Sequence, residues 1–102
     1  MTKSRLNESL ALDEFFEAIL LLKNVDECYQ FFEDVATVSE IKSLAQRLAV
    51  AKMIATGETY TKISKETGAS TATISRVKRS LYYGCYGYRI IMERMGIDIV
   101  EE

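Results

Sequence analysis

The sequence predicts an all-α fold of about six helices, and three observations carry that prediction. Apolar residues recur at three- and four-residue spacing along most of the chain, the period of an amphipathic helix. Capping pairs and single glycines fall at the ends of those periodic segments, where a helix must satisfy its free amides and carbonyls. No convincing strand, repeat, low-complexity tract or linker interrupts the pattern. One helical domain is therefore expected over residues 10–102, preceded by a flexible polar arm at residues 1–9.

The first helix is expected from Leu10 to about Lys23, with Leu12, Phe15, Phe16, Ile19 and Leu22 as its stripe. Leu20 and Leu21 spread that stripe around most of the circumference. A helix apolar nearly all round must be buried on more than one side, which in a short chain points to a subunit interface. Asn24 with Glu27 reads as a capping box and opens a second helix, Val25 to Ala36. Its inner face is Cys28, Phe31, Phe32 and Val35, with Cys28 expected as a small core residue. Thr37 with Glu40 repeats the capping signal for a helix to about Thr56. There Ile41, Leu44, Ala45, Leu48 and Ala51 form the main stripe, with Val50, Met53 and Ile54 beside it. Gly57 fits a left-handed C-cap. Two shorter helices follow, one after Thr59 and one from Ser70 to Tyr83, divided by a turn at Gly68. Gly84 and Gly87 break the pattern before a last helix, with Tyr88, Ile91, Met92 and Met95 inward and Gly96 as its stop.

Composition removes whole classes of chemistry. The 102 residues contain no His, Pro or Trp. Without His the usual general base, the His-dependent nucleophile pairs and most zinc or iron sites are excluded. Neither a glycine-rich phosphate loop nor a paired-carboxylate motif is present, so an enzyme is not expected and no cofactor or metal is implied. The longest apolar run, Ala18 to Leu22, is far short of the roughly 20 residues of a membrane span. Cys28 and Cys85 are too few for a disulfide scaffold. They read as reduced thiols in a cytoplasmic protein.

The net charge of −2 is unevenly spread. Up to Ala36 there are three bases against eight acids, net −5, whereas Thr37 to Arg89 holds nine bases against three acids, net +6. A basic face inside an acidic protein is compatible with nucleic acid.

Thr59 to Leu81 meets the demands of a helix-turn-helix. Ile63 anchors the first helix, and Ser64 is small where the helices touch. Gly68 supplies positive φ, and Ala69 plugs the corner. Ile74, Val77 and Leu81 lie within about 60° of one another at 100° per residue and face the core. Thr67 departs from the apolar residue commoner at that position. On the outer face of the second helix lie Ala72, Arg76, Arg79 and Tyr83, with Ser75 on the flank. Thr71, Ala72 and Thr73 occupy the N-terminal turn from which recognition helices reach base edges. Small and hydroxylated side chains there suit thymine methyls and hydrogen bonds, and Arg76 or Arg79 suits guanine or phosphate. Ser70 caps this helix, whose first amides are open to a phosphate.

These residues resemble the Trp repressor family over roughly Thr37 to Leu81. The likeness to its YerC/YecD-type branch extends over most of the chain, through QRLAVAK, ETGASTATISRV and YGCYGY. The resemblance implies an intertwined homodimer that binds a double-stranded DNA operator through paired helix-turn-helix units. It places family DNA contacts on Tyr60, Thr61 and Ser64 and on Thr71, Ala72, Thr73 and Ser75. Tyr60 replaces an amide side chain and Ser64 a Lys, so base preference and phosphate contacts are expected to differ. The family's tryptophan site falls on Arg47 and Arg76, with Thr37 and Ser80 matching in type. The glycine that leaves room for the indole is Val77 here. A branched side chain packed in that space excludes a bulky ring, so DNA binding without tryptophan is expected; an effector of other chemistry is left open.

The functional expectation is a dimeric, sequence-specific transcriptional regulator, a repressor by resemblance. The alternative from another class is a protein-interaction module in which the helix-turn-helix is only a scaffold. The tyrosines at 82, 83, 86 and 88 are read as packing at a helix junction or subunit interface, with Tyr83 outward.

Overall fold

The computed structural model describes residues 9–102. Six helices and no strand occur among them: α1 Leu10–Leu20, α2 Val25–Val35, α3 Val38–Ala55, α4 Tyr60–Thr67, α5 Thr71–Tyr83 and α6 Gly87–Arg94. The expected arm lies outside the described residues except for Ser9, whose side chain caps α1 by accepting from the Leu12 amide. No helix among the described residues is long and apolar enough to cross a membrane.

Local chemistry sets the ends of the helices. Asn24 accepts from the Glu27 amide at 2.8 Å while Glu27 accepts from the Lys23 amide at 2.9 Å. Thr37 and Glu40 cap reciprocally, at 2.8 and 3.1 Å. These bonds hold the Glu40 carboxyl below its ordinary range, chiefly through the Thr37 amide. Gly57 closes α3 at φ 84°, with the Glu58 amide reaching back to the Met53 carbonyl, the Schellman arrangement. α1 is shorter than expected and stops at Leu20, with Leu21 as its C-cap.

The described residues group into two compact units, 9–42 and 43–102, and α3 runs through their boundary. In the first unit the Phe15 ring lies against Phe16 and Phe31, and Phe31 meets Phe32 edge-on. Yet neither α1 nor α2 contains a buried residue. Cys28 is exposed, correcting its expected core position, and Val35 is exposed too. Only Phe31 and Phe32 of the expected inner face are half-buried.

The second unit has a closed core. α3 contributes Val50, Ala51, Ile54 and Ala55, α4 contributes Ile63, and Ala69 fills the turn. Ile74, Val77 and Leu81 of α5 and Met92 of α6 complete it. The expected main stripe of α3 holds only in part: Ala51 is buried and Leu48 packs on the core, but Leu44 and Ala45 are exposed, and the flanking Val50 and Ile54 join the core. On α6, Ile91 and Met95 are exposed and Met92 alone is buried. Ile97 and Ile99, in the chain after α6, pack against the core as well. That segment is strapped down where the Val100 amide donates to the Ala55 carbonyl at 2.9 Å and the Tyr82 hydroxyl donates to the Val100 carbonyl at 2.6 Å.

Candidate nucleic-acid interface

The turn between α4 and α5 is held by a small hydrogen-bond net. Gly68 adopts φ 73°, a left-handed conformation that strains a side chain-bearing residue. The Thr67 hydroxyl donates to the Ile63 carbonyl at 2.7 Å and accepts from the Ala69 amide at 3.1 Å. The Ser64 hydroxyl donates to the Ala69 carbonyl, and the Gln46 amide of α3 donates to the Thr67 carbonyl, both at 3.1 Å. Thr67 thus departs from an apolar residue because its hydroxyl satisfies two backbone groups of the turn. With Ala69 only 2% exposed below it, the two helices have one packed geometry.

That geometry divides α5 into two faces. Ile74, Val77 and Leu81 are at most 2% exposed, whereas Thr71, Ala72, Ser75, Arg76 and Arg79 are exposed. Thr73 is half-buried. Its amide donates to the Ser70 hydroxyl, which in turn donates to Thr73 Oγ1, both at 3.1 Å. α5 carries Arg76, Lys78 and Arg79 and no acid, so its solvent face is positive. On α4, Tyr60, Thr61 and Ser64 are exposed. The acids nearest in sequence are already engaged: Lys62 pairs with Glu58 at 2.8 Å and lies 3.9 Å from Glu66, and the Glu58 bond raises the Lys62 pKa. All ten residues expected to meet DNA therefore lie on the helix-turn-helix, and all but Thr73 are exposed.

The residues expected for a small ligand divide between the units. Thr37 lies in residues 9–42, where its hydroxyl caps α3. Arg47, Arg76 and Ser80 lie in residues 43–102. Arg47 acts electrostatically on Tyr88, partly offsetting the upward push that burial gives that phenol. No group of three or more His, Cys, Asp or Glu that could hold a metal ion occurs among the described residues.

Two features escape a reading of α5 by helical period. Lys78 is half-buried, and its ammonium lies 5.7 Å from the centre of the Tyr60 ring. The tyrosines that end α5 also have partners further along the chain: Tyr83 donates to Glu102, which raises its pKa, and the Arg89 guanidinium of α6 lies 5.7 Å from the Tyr82 ring centre while donating to the Leu81 carbonyl. Tyr83 is outward, as expected, at 74% exposure. Charge spacing along one helix cannot reveal the Lys78 contact, because its partner belongs to α4.

An all-helical chain built around a helix-turn-helix, with a basic outer face on its second helix, defines the class. Comparison with known proteins places it further. The Trp repressor protein family matches residues 10–96, and the chain belongs to that family. It is 58% identical over 84 residues to the uncharacterized protein YerC of Bacillus subtilis, covering 82% of this chain and 81% of that one. The crystal structure of a candidate Trp repressor from Staphylococcus aureus superposes with a TM-score of 0.86 at 60% identity, over 91% of this chain and 93% of that one. A TrpR-like protein from Eubacterium eligens gives 0.86 at 54% identity, over 91% and 96%.

Proposed function

We propose that this chain is a sequence-specific double-stranded DNA-binding regulator that represses transcription as a cytoplasmic homodimer. The observation that carries the reading is the division of α5. One face is sealed into the core by Ile74, Val77 and Leu81, and the other offers Thr71, Ala72, Ser75, Arg76 and Arg79 to solvent. A rigid helix with small residues in its first turn and bases behind them suits base edges and phosphates of the major groove. Family membership supports the same reading.

The dimer accounts for the apolar residues that α1 and α2 leave uncovered. Leu10, Leu20, Leu21 and Val25 are each at least 70% exposed. In the same unit Val25, Cys28, Tyr29, Phe32, Val38 and Ile41 line an apolar groove of about 430 Å³. Apolar surface of this extent is what subunit interfaces cover. Two-fold symmetry then sets two copies of α5 against half-sites one DNA turn apart.

Tryptophan is not the corepressor in this reading. Supporting this is Val77, which is 2% exposed and stands where the resemblance implies the glycine that leaves room for the indole; a close-packed interior has no spare room for a ring. Selection of binding sites from random duplexes by the purified protein, with and without added amino acids, tests both statements. A palindromic motif recovered equally in both arms is the expected result. Recovery only with tryptophan would overturn the corepressor statement. Absence of any motif, with binding insensitive to salt, would favour the protein-interaction alternative.

A further inference from the structure

Tyr60 and Lys78 form a contact that the division of α5 into core and outer faces does not explain. Lys78 follows Val77 on α5 and is half-buried, so its stem lies against protein and its ammonium emerges beside α4. There it sits 5.7 Å from the Tyr60 ring centre, within the roughly 6 Å at which an aromatic face attracts a cation. Among the described residues Lys78 has no carboxylate partner, in contrast to Lys62, which pairs with Glu58. Tyr60 is 38% exposed at the first turn of α4. The aromatic face restrains the long side chain without neutralising it. A restrained, unpaired cation loses less side-chain freedom when it meets an anion.

We propose that Tyr60 and Lys78 act as one clamp across the helix-turn-helix, in which the Tyr60 ring positions the Lys78 ammonium to contact a DNA phosphate. The inference rests on the DNA-binding reading above and adds to it a named backbone contact and a positioning residue. A phosphate is the fitting ligand because a lysine meets it as a point charge. The contact strengthens binding to every sequence alike and carries no base preference.

The test uses the full chain and a duplex selected by the wild-type protein, with affinity measured from 50 to 200 mM salt. Each phosphate contact contributes about 0.9 to the slope of log K against log salt, so two protomers contribute about 1.8. Lys78→Gln is expected to lower the slope by that amount, so that its deficit against wild type shrinks by about tenfold across the salt range. Lys78→Arg and Tyr60→Phe should keep the wild-type slope, since one retains the charge and the other the ring. Tyr60→Leu should weaken binding about two- to fivefold per half-site, the scale of an exposed cation–π contact. In a Lys78→Gln background its cost should fall to what the Tyr60 ring itself contributes at the DNA, so that the two losses are less than additive. Unchanged thermal midpoints confirm that each variant folds. A wild-type slope in Lys78→Gln would overturn the clamp while leaving DNA binding intact, and so would fully additive losses in the double variant. Failure of the wild type to retain any duplex would overturn the clamp and the DNA-binding reading together.

Discussion

Residues 43–102 bury ten side chains, from Val50 to Met92, whereas α1 and α2 of the other unit bury none. Both regions show helical apolar periodicity. They differ in what that periodicity has found to pack against. In the C-terminal unit, Ile63, Ile74 and Leu81 meet one another and the chain closes its own core. In the N-terminal unit the aromatic rings cluster, but Leu10 and Leu20 of α1 face outward. Periodicity therefore reports that a face demands cover, and not which chain supplies it.

The largest expected effect breaks the comparison at its open side. In the dimer proposed above, Ile19→Asp puts a charge into the apolar interface, where an unpaired carboxylate is strongly unfavourable. Sedimentation should show the protomer at concentrations where wild type is dimeric, and an unchanged dimer would remove α1 from the interface. On the closed side, Ile63→Ala or Ile74→Ala should each lower unfolding free energy by about 2–5 kcal/mol in urea titrations. Less than 1 kcal/mol would mean that the C-terminal core is not tightly packed.

Smaller effects follow at the surface of that core. Arg76→Ala or Thr73→Ala should weaken binding to the selected operator by about 1–3 kcal/mol per half-site without altering the dimer. Wild-type affinity in both would disprove the recognition assignment of α5. Thr67→Val removes a hydroxyl that serves two backbone groups and is expected to cost about 1–2 kcal/mol of stability, read from the urea midpoint. The smallest effect concerns pH. Glu40 has a lowered pKa in the folded chain, below its ordinary 4.5. The stability it contributes is thus present above that value and lost as pH falls through the folded pKa. Glu40→Gln should flatten the acid limb of the stability profile slightly, and an identical limb would show that the cap does not matter there.

Much of this architecture is legible in the sequence because its signals are local. Capping at Asn24 and Thr37, the left-handed Gly57 and Gly68, and the inward set Ile63, Ala69, Ile74, Val77 and Leu81 all depend on residues within a few positions. What escapes depends on distant partners. Cys28 shares a helical face with two phenylalanines, yet its exposure is decided by neighbours that α2 alone does not specify. The tail escapes for the same reason, since Ile97, Ile99 and Val100 carry no helical period and pack through bonds to Ala55 and Tyr82. Gly84 ends α5 as expected, and it is needed because a Cβ there would lie 2.5 Å from the Ser80 carbonyl oxygen; the left-handed residue of that junction is Tyr86, at φ 67°. The outward residues of α5 can be counted off from its period, but the Tyr60–Lys78 contact requires knowing how α4 crosses it.

The strap at Val100 has a consequence for the order in which the chain acquires its structure. Contacts between α4 and α5 join residues close in sequence, whereas the Val100–Ala55 bond closes a long loop around them. Short loops close at lower entropic cost and form earlier. The helix-turn-helix is thus expected to assemble before the tail lies down over its supporting helix. In exchange with deuterated water the Val100 amide should lose protection well before the Ile74 amide does, marking the strap as a latch that opens without unfolding α5.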